Sequence, residues 1–292
     1  MKTISVNRSI NKSILVRNLL IHRQLEEIGR EFSKASINAV LLKGAALILL
    51  LPDYSSERLM EDIDMLVRPK DLAAAREALA RLGYLPLPED PCAVSNPSKT
   101  APVDLTDNLW YLDKAENEEV FSEALRHRFK GSAAAFCHLR PEDFYIHVLA
   151  HGALQHAEDS GIWKKDLSLI WAHWGKTIKW AEVEAKLKQY GFQEAVDTYM
   201  APETADDSFY LRLLNMKDNP FKGHIARFIF LPAGKKLGYI RSSLFPGAEF
   251  LKNRYNLKNE AEIFYYKLLR PFLFISNLAR FAARAILNGK FQ

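Results

Sequence analysis

The first part of the chain alternates between helical and strand-like patterns of apolar residues. From Ile10 to Phe32, apolar side chains recur at helical spacing and predict an amphipathic helix. The apolar run 39–42 follows and predicts a strand, which leads through Lys43-Gly44 into a second helix beginning at Ala45. Turn-forming residues cluster at Pro52 to Ser56 and are expected to end that helix.

A second strand and a third helix are predicted next. Ile63 and the apolar run 65–67 indicate a short strand, bounded by Arg68-Pro69. Proline is suited to the first turn of a helix, so the alanine-rich stretch after Pro69 predicts a helix that stops at Gly83. The segment Pro86 to Pro91 is expected to form a turn-rich loop.

The rest of the chain is predicted to be mostly helical. Residues 102–105 form one more strand-like piece, after which strand signals fade. Helical apolar spacing then characterises four segments, namely 141–170, 180–190, 193–214 and 259–287. We therefore expect an α/β (α+β) N-terminal domain over residues 1–135 and an α-helical domain over residues 136–292.

Composition places the chain among ordinary globular proteins. Its 292 residues are 48% hydrophobic and 26% charged, with a mass of 33.4 kDa. Cys92 and Cys137 are too few for a disulfide framework and show no metal-binding spacing, so a reducing cytoplasm is the expected location. No secretory signal is recognisable, and no apolar run reaches the ~18 residues typical of a transmembrane helix, so we expect no transmembrane segment.

The positive charge is concentrated near the C-terminus. The net charge is +5, yet residues 251–292 contain eight Lys and Arg against two Glu. Between Phe264 and Arg284 these bases are mixed with aromatic residues. This basic tail suits contact with an anionic partner such as nucleic acid or a membrane surface, although a core-packing helix with snorkelling bases is the favoured interpretation.

Two carboxylates near the predicted second strand carry the strongest chemical signal. Asp62 and Asp64 are two residues apart and should project from the same face of a strand, roughly 6.6 Å apart along the chain. Carboxylates at this spacing can share a pair of magnesium ions, which lie about 3.5–4 Å apart in two-metal sites. The sequence therefore favours phosphoryl or nucleotidyl transfer at this strand.

The surrounding residues supply the other parts that such chemistry needs. Gly44 at a strand-to-helix turn would let backbone N–H groups approach phosphate oxygens, and Lys43 would add a positive charge. Arg58 either reaches a triphosphate or pairs with a neighbouring glutamate. A third carboxylate is expected to complete the metal site, with Asp104 as the first candidate and Asp107 as the second.

Several of these segments resemble the uncharacterised nucleotidyltransferase family of the DNA polymerase β-like superfamily. The resemblance rests on L-L-K-G-A-A-L at 41–47, R-L-M-E-D-I-D-M-L-V at 58–67 and V-D-L at 103–105. Further similarity lies at 147–156, 165–170 and 244–255, so it covers most of the chain. The family implies a mixed sheet with flanking helices, two catalytic Mg²⁺ ions held by Asp62, Asp64 and Asp104, and an NTP donor.

Two positions depart from the pattern of this superfamily. Ala45 stands where a glycine or serine usually follows the first glycine, and Thr106 stands where the family often has histidine. The leading interpretation is a Mg²⁺-dependent transferase that moves an NMP from an NTP to an unknown acceptor, which is a small molecule, a protein or RNA. The alternatives are a catalytically degenerate scaffold with a binding or regulatory role, and a toxin-like modifier of tRNA or protein.

Three polar residues of the helical half have competing interpretations. His147 and His151 are four residues apart, which puts them on one helix face and permits metal binding. Because apolar residues surround them, packing between helices is favoured. Asp166 is expected to be an acid on a helix face or a buried hydrogen-bonding acid rather than a catalytic one.

Overall fold

In the computed structural model, a seven-stranded mixed sheet forms the centre of the N-terminal part. The structure describes residues 11–87, 90–157, 161–202, 209–215, 221–231, 233–255 and 257–288. The strands are β1 (Ala39–Leu41), β2 (Ile63–Val67), β3 (Leu85–Leu87), β4 (Asp90–Ser95), β5 (Val103–Thr106), β6 (Leu125–Arg128) and β7 (Ala135–His138). Their order across the sheet is β3-β4-β5-β2-β1-β7-β6.

Helices flank this sheet and form the C-terminal part of the chain. Helix α1 (Lys12–Lys34) precedes the first strand, and α2 (Lys43–Leu50), α3 (Leu72–Arg81) and α4 (Lys114–Ser122) lie between strands along the chain. The later ones begin with α5 (Pro141–Ala150), a π-helix (His151–His156), α6 (Gly161–Trp174), α7 (Trp180–Tyr190) and α8 (Gln193–Met200). They continue with α9 (Phe209–Asn215), α10 (Phe221–Phe230), α11 (Ala233–Leu244), α12 (Ala248–Tyr255) and α13 (Glu260–Asn288).

The chain divides into two compact units. The first contains residues 1–85, 92–109 and 114–140, and the second contains residues 86–91, 110–113 and 141–292. The expected fold class is confirmed, because a mixed sheet with flanking helices is followed by a helical C-terminal region. No helix of the described segments is both long enough and apolar enough to cross a membrane.

The core of the first unit lies around the central strands. Every residue of β1 and β2 is buried, as expected for central strands covered on both faces. The apolar side of α1, formed by Ile21, Leu25, Ile28 and Phe32, is fully buried. This helix contacts α3 and β7. The predicted N-terminal helix and the first two strands therefore contribute much of the hydrophobic core of the first unit.

Two sequence-based expectations about strands were wrong. The segment Pro86 to Pro91 was expected to be a loop, but β3 ends within it at Leu87 and β4 begins within it at Asp90. Residues 88–89 lie outside the described residues. Strand signals were also expected to fade after β5, whereas β6 and β7 pair antiparallel at the far side of the sheet. Both misses concern the ends of the sheet, where β3 and the mostly exposed β6 lack the apolar run that reveals a buried strand.

The predicted start of the second helix also differs from the structure. It was expected at Ala45, but α2 begins at Lys43, immediately after Leu42. The first helical hydrogen bond runs from the Ala46 N–H to the Leu42 carbonyl. Lys43 and Gly44 therefore belong to the first turn of the helix, where N–H groups have no partner within the helix itself.

Candidate active site

Adjacent strands bring the predicted site residues together in the first unit. Asp64 of β2 is in register with Asp104 of the parallel strand β5, so their side chains project from the same face of the sheet. On the other side, β1 pairs antiparallel with β2 and ends two residues before Lys43. Lys43, Asp64 and Asp104 thus come from three neighbouring strands or strand ends.

Asp62 lies at the entrance to the same strand rather than inside it. The strand begins at Ile63, so Asp62 precedes it by one residue and is exposed, whereas Asp64 is buried. The entrance is held to β5 by a hydrogen bond from the Ile63 N–H to the Pro102 carbonyl, at 2.9 Å. One acid of the pair therefore faces solvent and the other faces the protein interior.

Lys43 and Asp64 form a buried ion pair. The Lys43 Nζ lies 2.5 Å from the Asp64 Oδ1, and the side chains are only 11% and 8% exposed. Lys43 was predicted to bind phosphate, but in the structure its ammonium contacts the carboxylate. The Lys43 ammonium therefore contacts Asp64, the acid that was predicted to bind a metal ion.

The Asp64 carboxyl is strongly perturbed by its surroundings. Burial is the largest cause and raises its pKa to about 7, while the Lys43 ammonium acts in the opposite direction. The negative charges of Asp62 and Asp104 raise the pKa further. Perturbed carboxyl groups in contact with other acids are typical of functional sites, because nearby like charges favour a bound cation or proton.

The backbone at Lys43 is strained. Its φ of 43° lies in the left-handed region, which residues with a side chain rarely adopt. Such conformations cost on the order of 1–3 kcal/mol and cluster at functional sites. With this backbone conformation, the side chain of Lys43 lies beside Asp64.

Gly44 is needed for close packing. A Cβ at this position would lie 2.4 Å from the Met60 Sδ and 3.2 Å from a terminal nitrogen of Arg58. The segment that leads to β2 therefore lies directly over the first turn of α2. This arrangement places the Arg58 guanidinium beside Gly44, and Arg58 also donates a hydrogen bond to the Leu59 carbonyl.

Polar residues of α1 hold the segment that precedes β2, a role that was not predicted from the sequence. The Asn18 side-chain amide donates to the carbonyls of Ser55, at 2.8 Å, and Arg58, at 2.5 Å. The Arg17 Nε donates to the Met60 carbonyl at 2.6 Å. The sequence does contain a signal for this role, because Asn18 is a polar residue on the apolar face of a predicted amphipathic helix.

Gln24 holds the segment before β5 in a similar way. Its side-chain nitrogen donates to the Ala101 carbonyl at 2.7 Å, and its side-chain oxygen accepts from the N–H groups of Thr100 and Ala101. Gln24 is also buried on the inner face of α1. One helix thus fixes the approaches to both acid-bearing strands.

The second candidate for the third acid, Asp107, lies beyond the end of β5. It accepts a hydrogen bond from the Asn108 side-chain amide at 2.8 Å. Thr106, the position that departs from the family pattern, bonds locally through its hydroxyl to the Asn108 carbonyl at 2.9 Å. The register with Asp64 therefore favours Asp104 over Asp107 as the third acid.

Carboxylate oxygens are suitable ligands for Mg²⁺, which prefers hard oxygen donors. The negative charges of Asp62 and Asp104 both raise the pKa of Asp64, so both acids interact electrostatically with it. Within the described ranges, however, no three His, Cys, Asp or Glu side chains are already arranged to hold a metal ion. The donor chemistry fits Mg²⁺, and side-chain rotation would be needed to bring the donors onto it.

The histidines singled out by their spacing lie in the second unit. His147 and His151 are both buried, in α5 and in the π-helix that continues it. The His147 Nδ1 lies 3.5 Å from the Tyr111 hydroxyl, and the His151 Nε2 lies 3.0 Å from the His156 Nε2. These contacts agree with the favoured packing role. Asp166 is fully buried, which agrees with the second of its two non-catalytic interpretations.

Comparison with known proteins gives one match. A family model described as "uncharacterised nucleotidyltransferase" matches residues 7–201, which include every predicted site residue. No curated protein and no solved structure match the chain.

Proposed function

The chain belongs to the uncharacterised nucleotidyltransferase family, which supports nucleotidyl transfer as its general activity, and we propose that it moves an NMP from an NTP to an acceptor with the help of Mg²⁺. Asp62, Asp64 and Asp104 are the proposed catalytic carboxylates. Lys43, Gly44 and the Arg58 guanidinium would form the phosphate side of the site. The proposed acceptor is a small molecule, a protein or RNA.

The proposal rests chiefly on the surroundings of Asp64. Asp64 is only 6% exposed, contacts the Lys43 ammonium at 2.5 Å and interacts with the charges of Asp62 and Asp104. Keeping a charged carboxylate in such a place costs folding free energy. Nothing in the packing of β2 requires an acid at this position, because the other residues of the strand are apolar. A role in binding a cation and a phosphate chain explains why these charges are concentrated there.

The proposed chemistry assigns a separate task to each residue. Bound Mg²⁺ would neutralise charge on the phosphates and lower the pKa of an acceptor hydroxyl. Asp62 and Asp64 would hold the metal, while Asp104 would orient the acceptor hydroxyl and receive its proton. The acceptor oxygen would form a bond to the α-phosphorus, and the bond from that phosphorus to the bridging oxygen would break and release pyrophosphate.

Lys43 would act at two positions in turn. In the structure it neutralises Asp64, and a triphosphate would offer its ammonium an alternative partner with more negative charge. Movement of the ammonium to the phosphates would leave Asp64 available to the metal. The first turn of α2 would add N–H groups and the positive end of the helix to the phosphate site.

The direct test uses NTPs labelled either at the α- or at the γ-phosphate. With Mg²⁺ and candidate acceptors, nucleotidyl transfer moves the α-label to a product and releases labelled pyrophosphate from the γ-labelled NTP. Asp64→Asn and Asp62→Asn are expected to abolish transfer. Asp53→Asn, which changes an exposed acid of the same unit, should leave transfer unchanged. Movement of the γ-label to the acceptor would replace the proposal with phosphoryl transfer.

A second candidate function is a nucleotide-binding or regulatory module without turnover. It is favoured by the Lys43 contact to Asp64 and by the lack, in the described segments, of three ligands already arranged for a metal. Thermal-shift titration with NTPs in the presence and absence of Mg²⁺ separates the two. Mg²⁺-dependent NTP binding that is lost in Asp64→Asn, together with no label transfer to any acceptor, would support the module.

A further inference from the structure

Helix α13 presents a stripe of large apolar side chains to solvent. Phe264, Leu268, Phe272 and Ile275 are 65%, 58%, 72% and 56% exposed. At about 100° per residue their positions fall within an arc of about 80°, so they form one continuous face, which we call the α13 stripe. Exposed apolar surface of this kind indicates an interaction site.

The opposite face of α13 already has its partners within the second unit. Ile263 is buried in a cluster with Leu251 and Leu257, against which Tyr266 also packs. Further along the helix, the Phe274 ring contacts the rings of Phe221 and His224. Because the inward face is packed, the α13 stripe is a second apolar face, and the fold leaves it at the surface.

Cations border the α13 stripe on both sides. Lys267 lies about 60° from Phe264 around the helix, and Arg280 lies about 80° beyond Phe272 on the other side. Both are exposed. Helix α11, which contacts α13, adds Lys235, Lys236 and Arg241 without any acid, and its Leu237 is 76% exposed. Apolar and basic groups therefore occur together on this part of the unit.

We propose that the α13 stripe docks onto the surface of an anionic lipid bilayer. The helix would lie parallel to the surface, with the stripe at the boundary between headgroups and acyl chains and the flanking bases on headgroup phosphates. Two kinds of attraction would then act together, as stable membrane association usually requires. The proposal is independent of the transferase activity.

Charge favours a bilayer over the other occupants of such a face. Pairing two copies of the chain through the stripe would bring together two segments that each carry eight Lys and Arg against two Glu, and these would repel one another. Nucleic acid would need cations at the centre of the face, where Leu268 and Phe272 stand instead. An anionic bilayer matches both the apolar centre and the basic borders.

The test is co-sedimentation of the full chain with vesicles. Phosphatidylcholine vesicles containing phosphatidylglycerol are expected to bind the protein, whereas phosphatidylcholine alone should bind it weakly. Leu268→Glu/Phe272→Glu should lower the partition coefficient roughly a hundredfold or more, since burial of each side chain contributes a factor of about ten to a hundred. Lys267→Gln should lower it about fivefold, and added salt should remove that difference.

The matched control carries the same change of charge away from the stripe. Ser168→Glu/Ala185→Glu alters two exposed residues of α6 and α7 and should bind vesicles like the wild type. Far-UV circular dichroism and the unfolding temperature verify that all variants are folded. Absence of binding by the wild type overturns the proposal, as does equal loss in both double variants. A dimer or an RNA complex that depends on the stripe, without vesicle binding, also overturns it and identifies the other occupant.

Discussion

The Lys43 ammonium lies 2.5 Å from the Asp64 carboxylate, and both groups are largely removed from water. This contact joins the residue at the start of α2 to the central strand β2. Because the partners compensate one another's charge in a poorly solvated place, removal of either leaves an uncompensated buried group. The pair therefore affects both stability and the proposed chemistry.

Replacing Lys43 with methionine should destabilise the protein and abolish transfer. Breaking a buried ion pair typically costs about 3–5 kcal/mol, and the effect should be largest above neutral pH, where Asp64 is ionised. Lys99→Met is the matched control, because Lys99 also lies 2.5 Å from a carboxylate, that of Glu27, but both partners are partly exposed. That substitution should cost about 1 kcal/mol or less. Equal losses of unfolding free energy for Lys43→Met and Lys99→Met, measured by urea unfolding, would show that burial does not strengthen the Lys43–Asp64 pair.

Asp64 should give the stability a specific pH dependence. Its pKa is about 7 in the folded protein, compared with an ordinary value of 3.8, so between these values the folded state keeps a proton that the unfolded state has released. The free energy of unfolding should therefore fall as pH rises through this interval, by up to about 1.4 kcal/mol per pH unit, and level off above it.

The comparison with Asp64→Asn isolates this contribution. Urea unfolding from about pH 4 to about pH 8 should show wild type losing stability relative to the variant as pH rises. Asp53→Asn, at an exposed acid, should follow the wild-type curve. A constant difference between wild type and Asp64→Asn over the whole interval would show that the carboxyl is ionised throughout.

Asp104 and Asp107 can be distinguished by their effect on Asp64. The charge of Asp104 is among the causes that raise the pKa of Asp64, so Asp104→Asn should lower that pKa below about 7. Asp107→Asn should leave it nearly unchanged, because Asp107 follows the end of β5. Carbon NMR of labelled aspartate carboxyls measures both. Transfer should be lost in Asp104→Asn and retained in Asp107→Asn, and the reverse result would reassign the third acid.

The sequence was sufficient to predict the central strands because their signals are local. The apolar runs around β1 and β2 identify buried strands. The D-x-D spacing predicted that Asp62 and Asp64 share one face of a strand, whereas in the structure Asp62 is exposed just before β2 and only Asp64 is buried within it. The register that brings Asp104 beside Asp64 is not local. It depends on pairing between segments about forty residues apart, and the strand-like residues around Asp104 indicated only that such pairing was feasible.

Other parts of the site could not be predicted, because they depend on tertiary contacts between polar groups. Lys43 was assigned to phosphate from its position before a helix, and only the fold shows its contact with Asp64. The role of Gln24 depends on the path of the chain before β5. The edge strand β6 lacks an apolar face, so its pairing with β7 cannot be recognised from periodicity.

Gly44→Ala should be destabilising because the new Cβ would lie 2.4 Å from the Met60 sulfur. Overpacking of this kind typically costs about 1–3 kcal/mol. Met60→Ala alone should also destabilise, by about 2–5 kcal/mol, because Met60 is buried. In the double variant the smaller side chain makes room for the Cβ, so the combined loss should be less than the sum of the two. Additive losses in urea unfolding would contradict direct packing.

A control for helix propensity comes from Gly234 of α11. A Cβ there would meet no atom within 4 Å, so Gly234→Ala should be neutral or stabilising by up to about 1 kcal/mol. The contrast separates the steric effect at Gly44 from the general preference of helices for alanine. The new Cβ in Gly44→Ala should also displace the Arg58 guanidinium, so this variant should bind NTP more weakly than the wild type. Thermal-shift titration measures that difference.

Asn18→Ala should weaken both the fold and the proposed activity, although Asn18 belongs to α1 and not to the catalytic carboxylates. Loss of its amide leaves the Ser55 and Arg58 carbonyls without these donors, at a cost of about 1–3 kcal/mol. The segment leading to Asp62 would then be less well held, so the turnover rate should fall. Leu19→Ala, at the exposed neighbouring residue, should change stability by about 0.5 kcal/mol or less and leave turnover intact. A fall in stability with unchanged turnover would show that Asn18 supports the fold alone and does not position Asp62.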